Sequence, residues 1–311
     1  MERELLIESV NISLSKGTTK QPVESAEFNH LGVEGDAHSG EWHRQISLLS
    51  RESIDEFSLK SGREYKPGEF AENITLSGMR MNECRPGDII EGCGVKMVVT
   101  QIGKKCHGGG CAIYVESGAC VMPKEGIFAK VVTGGVLKSG DIITYKPKTF
   151  KVGVITLSTR AYKGIYPDKS GPEILAILDC YMKSSRRIVV PEYHLIPDNK
   201  ELLEAIIKDM AERSFDFIFT TGGTGVGPCD FTPEVVKSLL DLEIPGIMEH
   251  IRIKYGADNP SALLSRSVAG IRANTAIFTL PGSVNGVKEY MAEITPHLEH
   301  LFYMRTGLDT H

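Results

Sequence analysis

At 311 residues the chain is long enough for two domains of ordinary size. A content of 41% hydrophobic and 24% charged residues excludes a disordered chain. A formal net charge of −5 without a basic block argues against a nucleic-acid or anionic-membrane binder.

No apolar run approaches the ~20 residues that span a bilayer. The start, Met1-Glu2-Arg3-Glu4, has no secretory pattern, so a cytoplasmic location is expected. Five of the seven cysteines crowd between Cys84 and Cys120. In a reducing compartment they read as thiols or ligands, not disulfides.

In chain order, residues 2–13 alternate and read as a strand. A second strand ends the run from Trp42 to Leu49, and residues 50–57 read as a short helix. From about 69 to 145, short apolar runs such as Val95 to Thr100 and Ile127 to Val132 are split by Gly and Pro. That texture predicts a mainly β domain, a barrel, over residues 1–146. Lys146-Pro147-Lys148-Thr149 is the expected boundary, with a second domain over 150–311.

Beyond it, strand and helix alternate. Strands are expected at 151–157, 187–196, 215–219 and 275–280. Ser170 to Glu173 and Asp198 to Glu201 read as capping boxes opening helices, Thr232-Pro233-Glu234 as a third helix start, and Glu289 to Tyr303 as the last helix. The pattern predicts a three-layer α/β domain with a mostly parallel sheet and helices on both faces.

In such sheets ligands bind beyond the carboxyl ends of the strands. The third strand stops in Thr220-Thr221-Gly222-Gly223-Thr224-Gly225, a loop whose backbone can approach and present N–H groups to an anion. The other strands end at Ser158-Thr159, Pro197-Asp198 and Pro281-Gly282-Ser283. Asp198 and Asp230 would thus face phosphate donors, a setting that suits Mg²⁺. Taken singly, Asp198 reads as a helix cap, Asp230 as a turn residue and Ser265-Arg266 as a surface pair. The loop is neither a GxGxxG fingerprint nor a P-loop.

These segments together are similar to one family. Asp168-Lys169-Ser170-Gly171-Pro172, Ile196-Pro197-Asp198, Thr221 to Gly225 with Asp230 to Glu234, Ser265-Arg266-Ser267 and Leu280-Pro281-Gly282-Ser283 occur in this order in the molybdopterin-binding, molybdopterin adenylyltransferase-like family. The resemblance covers about residues 151–305. It implies that the phosphate of molybdopterin attacks the α-phosphate of Mg·ATP and expels pyrophosphate, and it implies a homotrimer. It implies that Thr221, Gly222, Gly223, Thr224 and Gly225 hold phosphates, with Asp198 and Asp230 serving Mg²⁺ and catalysis. Asp168, Ser170, Gly171, Ser265, Arg266, Pro281 and Gly282 would contact nucleotide or pterin. One departure is Thr279, where many adenylyltransferases have asparagine, ahead of a turn that lacks their Asn-Pro or Gln-Pro. A non-catalytic carrier or chaperone of the cofactor is the alternative.

The first half resembles the molybdenum cofactor sulfurase C-terminal (MOSC) domain, a β-barrel. The resemblance rests on Gly32 to His38, His43 to Leu48, Pro67 to Asn73, Gly87-Asp88 and Thr100 to Cys106. It implies binding of the molybdenum cofactor or sulfur transfer through Cys106, and other cofactor-biosynthesis proteins or apo-molybdoenzymes as partners. Lys104, Lys105 and His107 around Cys106 favour a thiolate. Zinc on Cys106, Cys111, Cys120 and His107 has no familiar spacing. Asp36, His38, His43 and Arg44 either line an anion pocket or hydrogen-bond within the barrel.

Overall fold

A computed structural model describes residues 2–104 and 120–308. The chain divides into two compact units between Lys148 and Thr149, the second ending at Thr306.

The first unit's strands are β1 (Arg3–Ile12), β2 (Gln21–Val23), β3 (Ser25–Asn29), β4 (Gly32–Val33), β5 (Ile46–Ser50), β6 (Ile74–Ser77), β7 (Ile89–Gly92), β8 (Val95–Ile102), β9 (Ile127–Thr133), β10 (Gly135–Lys138) and β11 (Ile142–Lys146). The main sheet runs β11-β7-β8-β9-β5-β6-β1-β2, and pairing of β11 with β1 closes it into a barrel. Closure removes the open edges that a free sheet would expose. Strands β3, β4 and β10 form a separate three-stranded sheet. Alternation does the sorting: Leu5 and Ile7 of β1 are fully buried among Ile46, Leu48, Ile74, Leu76, Val99 and Ile127, whereas Leu6 is 40% exposed. Helix α1 (Arg51–Ser61) follows β5, with Ser50 capping it by accepting from Ser53 N, and α2 (Met122–Glu125) precedes β9.

The second unit holds β12 (Thr149–Leu157), β13 (Ile188–Ile196), β14 (Phe217–Thr221), β15 (Leu242–Glu243), β16 (Ala269–Arg272) and β17 (Thr275–Leu280). Its sheet order is β13-β12-β14-β17-β16-β15. The expected mostly parallel sheet is mixed. The four anticipated strands pair parallel, but β17, β16 and β15 pair antiparallel. The reason is local: Arg272 faces Thr275, so only Ala273 and Asn274 join β16 to β17, and a two-residue link allows only an antiparallel hairpin.

The helices are α3 (Thr159–Tyr162), α4 (Ser170–Ser184), α5 (Lys200–Glu212), α6 (Thr232–Leu239), α7 (Pro245–Gly256), α8 (Val284–Ile294) and α9 (Leu298–Thr306). They cover both faces of the sheet. Leu203, Ile207 and Met210 of α5 and Val235, Val236 and Leu239 of α6 bury Ile155, Ile218 and Ile277 on one face. Phe217, one residue out of phase with Ile218, packs on Phe150, which meets Phe302 of α9 edge-on. The expected single last helix is two helices split by a 3₁₀ turn at Thr295–His297, because Pro296 has no N–H to continue the ladder. Helix α7 was not anticipated from the sequence.

Candidate functional site

The parallel register decides where the site is. Leu157 pairs with Ile196, Thr156 with Thr221, and Thr221 with Leu280, so β12, β13, β14 and β17 finish side by side. A cleft of about 420 Å³ opens at that edge, lined by Thr156, Ser158, Tyr166, Asp168, Lys169, Ser170, Thr221 and Gly282 among others. Of the residues expected to bind ligand, Asp168, Ser170, Thr221 and Gly282 therefore share one wall. Gly171 packs behind it, where a Cβ would lie 2.5 Å from Thr156 Oγ1 and from Tyr193.

Asp168 organises this wall. Its carboxylate accepts hydrogen bonds from Tyr193 OH (2.6 Å), Thr156 Oγ1 (2.8 Å), Ser170 Oγ (2.9 Å), Ser170 N (3.0 Å) and Gly171 N (3.1 Å). Burial alone would raise its pKa, but the donors, Tyr193 foremost, hold it below the usual value. Burial and the Asp168 bond together push the Tyr193 phenol up to about 12. The expected Ser170 capping box is thus replaced: Asp168 takes the first amides of α4, and Ser170 lies inside the helix.

The glycine loop is held from three sides. Gly222 has φ +101° and a Cβ there would lie 2.4 Å from Leu157 O, so only glycine lets β14 turn against β12. Gly222 N donates to Leu280 O (3.1 Å) and Thr221 Oγ1 to Pro281 O (2.7 Å), tying the loop to the β17 turn. Thr232, expected as a cap hydroxyl, donates instead to Gly222 O (2.9 Å). Arg266 spans the loop, donating to Gly225 O and Asp230 O (both 2.6 Å) and pairing with Glu234, while its amide reaches Thr224 O (2.9 Å). Gly223, Thr224 and Gly225 supply amides that have no partner among the described residues. Ser265 bonds Tyr290 OH (2.8 Å) and Ser267 (3.0 Å).

Asp198 is not the plain cap it resembles, whereas Asp230 does close a turn, its amide donating to Gly227 O (3.0 Å). Asn199, not Asp198, caps α5 by accepting from Leu202 N (2.7 Å). Asp198 Oδ2 instead accepts from Thr159 N (3.0 Å) and Oγ1 (2.7 Å) at the start of α3, and the residue stays exposed. Asp230 Oδ2 accepts from Gly227 N (2.8 Å), and a Cβ on Gly225 would approach that oxygen to 2.8 Å. Each acid therefore keeps one carboxylate oxygen without a protein partner among the described residues, which fits a cation held by one or two carboxylates and phosphate oxygens. Among the described residues no three His, Cys, Asp or Glu side chains gather into a metal-sized group. Thr279 is fully buried and bonds Val268 N (2.7 Å). The sequence reading missed Tyr193, which sits within a strand and carries no local signal.

In the first unit, Asp36 turned out to be an internal hydrogen-bonding residue. It pairs with Lys20 at 1% exposure of each side chain and accepts from Ser13 N and His38 N (both 3.0 Å). Burial opposes its ionisation, but His38 and Lys20 hold its carboxyl well below the usual range. Burial lowers the Lys20 pKa, opposed by Asp36, with Lys104 adding repulsion. Glu72 is buried and its pKa raised by burial; Oε1 accepts from Gly68 N (2.6 Å) and Thr75 (2.8 Å) while Oε2 has no partner.

His43 Nε2 meets Gln101 Oε1 (3.1 Å), whose amide donates to Gly103 O (2.6 Å). Arg44 stacks 5.1 Å from the Trp42 ring centre and 5.8 Å from that of Phe128. Cys106, with His107 and Cys111, lies outside the described residues. No described helix is long and apolar enough to cross a membrane.

Comparison with known proteins gives two family matches in this order: the MOSC domain at residues 35–144 and the probable molybdopterin binding domain at 153–300. Gephyrin of Dictyostelium discoideum is 40% identical over 161 residues, 50% of this chain but 22% of its own length. A molybdopterin adenylyltransferase of Helicobacter pylori is 34% identical over 154 residues, covering 49% of this chain and 86% of that protein. The crystal structure of the molybdopterin biosynthesis enzyme MoaB of Thermus thermophilus is 36% identical, covering 51% of this chain and 97% of that one, with a TM-score of 0.47.

Proposed function

Since this chain belongs to the molybdopterin-binding family and carries a MOSC domain ahead of that region, we propose that it acts in molybdenum cofactor biosynthesis, with the second unit adenylylating molybdopterin from ATP. The observation that carries this reading is the shared edge of four parallel strands. The glycine loop, the Asp168 wall and both acids all follow strands that finish at that edge. The relatives named molybdopterin adenylyltransferase match this same half of the chain.

In the reaction, an oxygen of the molybdopterin phosphate attacks the α-phosphorus of ATP. The bond to the β-phosphate oxygen breaks, and pyrophosphate leaves with the electron pair. The nucleophile is already ionised, so the chain's residues position groups and balance charge. The free amides of Gly223 to Gly225 orient phosphate oxygens, and Arg266 keeps the loop in shape. Asp198 and Asp230 would hold Mg²⁺, which when bound offsets charge on the phosphates. Tyr166, Asp168 and Ser170 line the cleft together with Thr221 and Gly282. A homotrimer and a cytoplasmic location complete the reading.

For the first unit we propose cofactor binding or sulfur transfer through Cys106. The test of the second unit is pyrophosphate release when molybdopterin and Mg²⁺ are added to protein and ATP. No release from folded protein would leave the carrier reading, which the engagement of Thr279 with Val268, away from any ligand role, favours.

A further inference from the structure

The two acids at the carboxyl edge of the sheet are held by different means. Asp230 is held within its own turn: its Oδ2 accepts from Gly227 N and its amide donates to Gly227 O. Asp198 is exposed just past the end of β13, and an exposed carboxylate that is free to rotate must be ordered before it can hold a ligand. Its hold comes from Thr159, just past the end of β12. Thr159 N donates to Asp198 Oδ2 (3.0 Å), Thr159 Oγ1 donates to the same oxygen (2.7 Å), and Asp198 N donates to Thr159 Oγ1 (2.9 Å). The direction of each bond is forced. An amide can only donate, so Oγ1 accepts from Asp198 N; Oδ2 already accepts an amide, so the hydroxyl proton points at it. Thr159 is fixed in turn by its neighbour: Ser158 N donates to Ile196 O (3.0 Å), and Ser158 Oγ accepts from Ala161 N (3.2 Å).

We propose that Thr159 is a positioning residue for Mg·ATP, its hydroxyl locking the Asp198 carboxylate so that Oδ1 is presented to the cation. Oδ2 is taken up by the two Thr159 donors, while Oδ1 has no protein partner among the described residues. A ligand oxygen fixed before the cation arrives loses little freedom on binding it. The amide of Thr159 would remain in any variant. The hydroxyl does what the amide cannot: it takes up Asp198 N as well, and so ties the carboxylate to its own backbone. Valine keeps the branched shape of threonine without the hydroxyl, and serine keeps the hydroxyl without the branch. The role rests on the second unit binding Mg·ATP, and not on its transferring the adenylyl group.

The experiment is a calorimetric titration of the full chain, without molybdopterin, with Mg·ATP and separately with ATP in excess EDTA. The wild-type chain should bind ATP more tightly with the metal than without. Thr159→Val should weaken Mg·ATP binding about tenfold or more, as loss of a group that orients a metal ligand does, and leave metal-free ATP binding unchanged. Thr159→Ser should restore the wild-type value, and Asp198→Asn should lose at least as much as the valine variant. Where pyrophosphate is released, Thr159→Val should raise the Mg²⁺ requirement more than it lowers the rate at saturating Mg²⁺. Thr159→Ala gives the same comparison if the valine variant does not fold. Equal Mg·ATP affinity in wild type and Thr159→Val, serine as weak as valine, an equal loss of metal-free ATP binding, or a wild type indifferent to the metal would each overturn the proposal. The expected binding pattern without pyrophosphate release removes adenylyl transfer and leaves the role of Thr159 standing. Release with unchanged Mg·ATP affinity in Thr159→Val does the reverse.

Discussion

The two units differ in where they leave their acids. The barrel closes on itself and takes its titratable groups into its wall: Lys20, Asp36 and Glu72 are all 6% exposed or less. The open sheet also buries charges, Arg187 at 3% and Asp216 at 6% exposure, but at its carboxyl edge it leaves Asp198 exposed and Asp230 half-buried. Buried charges need partners to exist at all, so those of the barrel are structural first. Charges at an open carboxyl edge are free to meet a ligand. Substitutions should therefore cost stability in the first unit and chemistry in the second.

The sharpest test of that contrast is Asp230→Asn. Pyrophosphate release should fall by about a hundredfold or more, as for loss of a charge-stabilising group, with the melting temperature little changed. Asp198→Asn should behave in the same way. If either instead unfolds the protein with activity intact per folded molecule, the division of roles is wrong.

Next in size is Lys20→Met, which leaves Asp36 buried without its cation. Removing one partner of a buried pair costs about 3–5 kcal/mol, and chemical denaturation followed at Trp42 should show it. Gly222→Ala should lose activity through the loop, because a Cβ meets Leu157 O at 2.4 Å. Its signature is a raised ATP requirement rather than a change at Trp42.

The pH profile sharpens the barrel side. The folded-state pKa of Asp36 is depressed, so its ionisation stabilises the fold above the ordinary aspartate value of about 4. That contribution is lost as pH falls below it. Denaturation midpoints between pH 6 and pH 3 should drop, and Asp36→Asn should flatten the drop from a lower starting stability.

The smallest effect is expected from Tyr193→Phe. With its pKa raised to about 12, the phenol stays protonated as donor to Asp168; its contribution is complete below about pH 10 and lost as pH rises through 12. At neutral pH the variant should lose about 1 kcal/mol or less. Ultraviolet titration of tyrosinate should show one fewer high-pH transition.

How much of this was legible in the sequence varies by residue. Strand and helix periodicity in the second half marked the four parallel strands, and the Gly222-Gly223 stop marked the loop. The caps were read less well. Ser170, Asp198 and Thr232 all look like helix caps from their neighbours in sequence. In the fold, Asp168 takes over from Ser170, Asp198 reaches Thr159 across the sheet, and Thr232 reaches Gly222. Only Asp198 meets a partner brought by another strand; Asp168 and Gly222 lie in the segments leading into the same helices, and the way those segments turn decides the pairing. Lys20 was missed because an isolated lysine looks like a surface residue until the chain closes over it, and Tyr193 because nothing near it in sequence shows that its hydroxyl meets Asp168.

The sequence by itself determined what repeats locally: the period of each strand, the glycines that only glycine can be, and the ordered motifs of two families. Those are properties of neighbouring residues and of backbone sterics. Only the tertiary structure decided that the sheet is mixed, that Arg266 braces the loop, that Lys20 neutralises Asp36, and that Arg44 stands beside Trp42 and Phe128 with an unsatisfied donor. Those depend on which distant segments share a dielectric and a hydrogen bond, and no window along the chain contains that information.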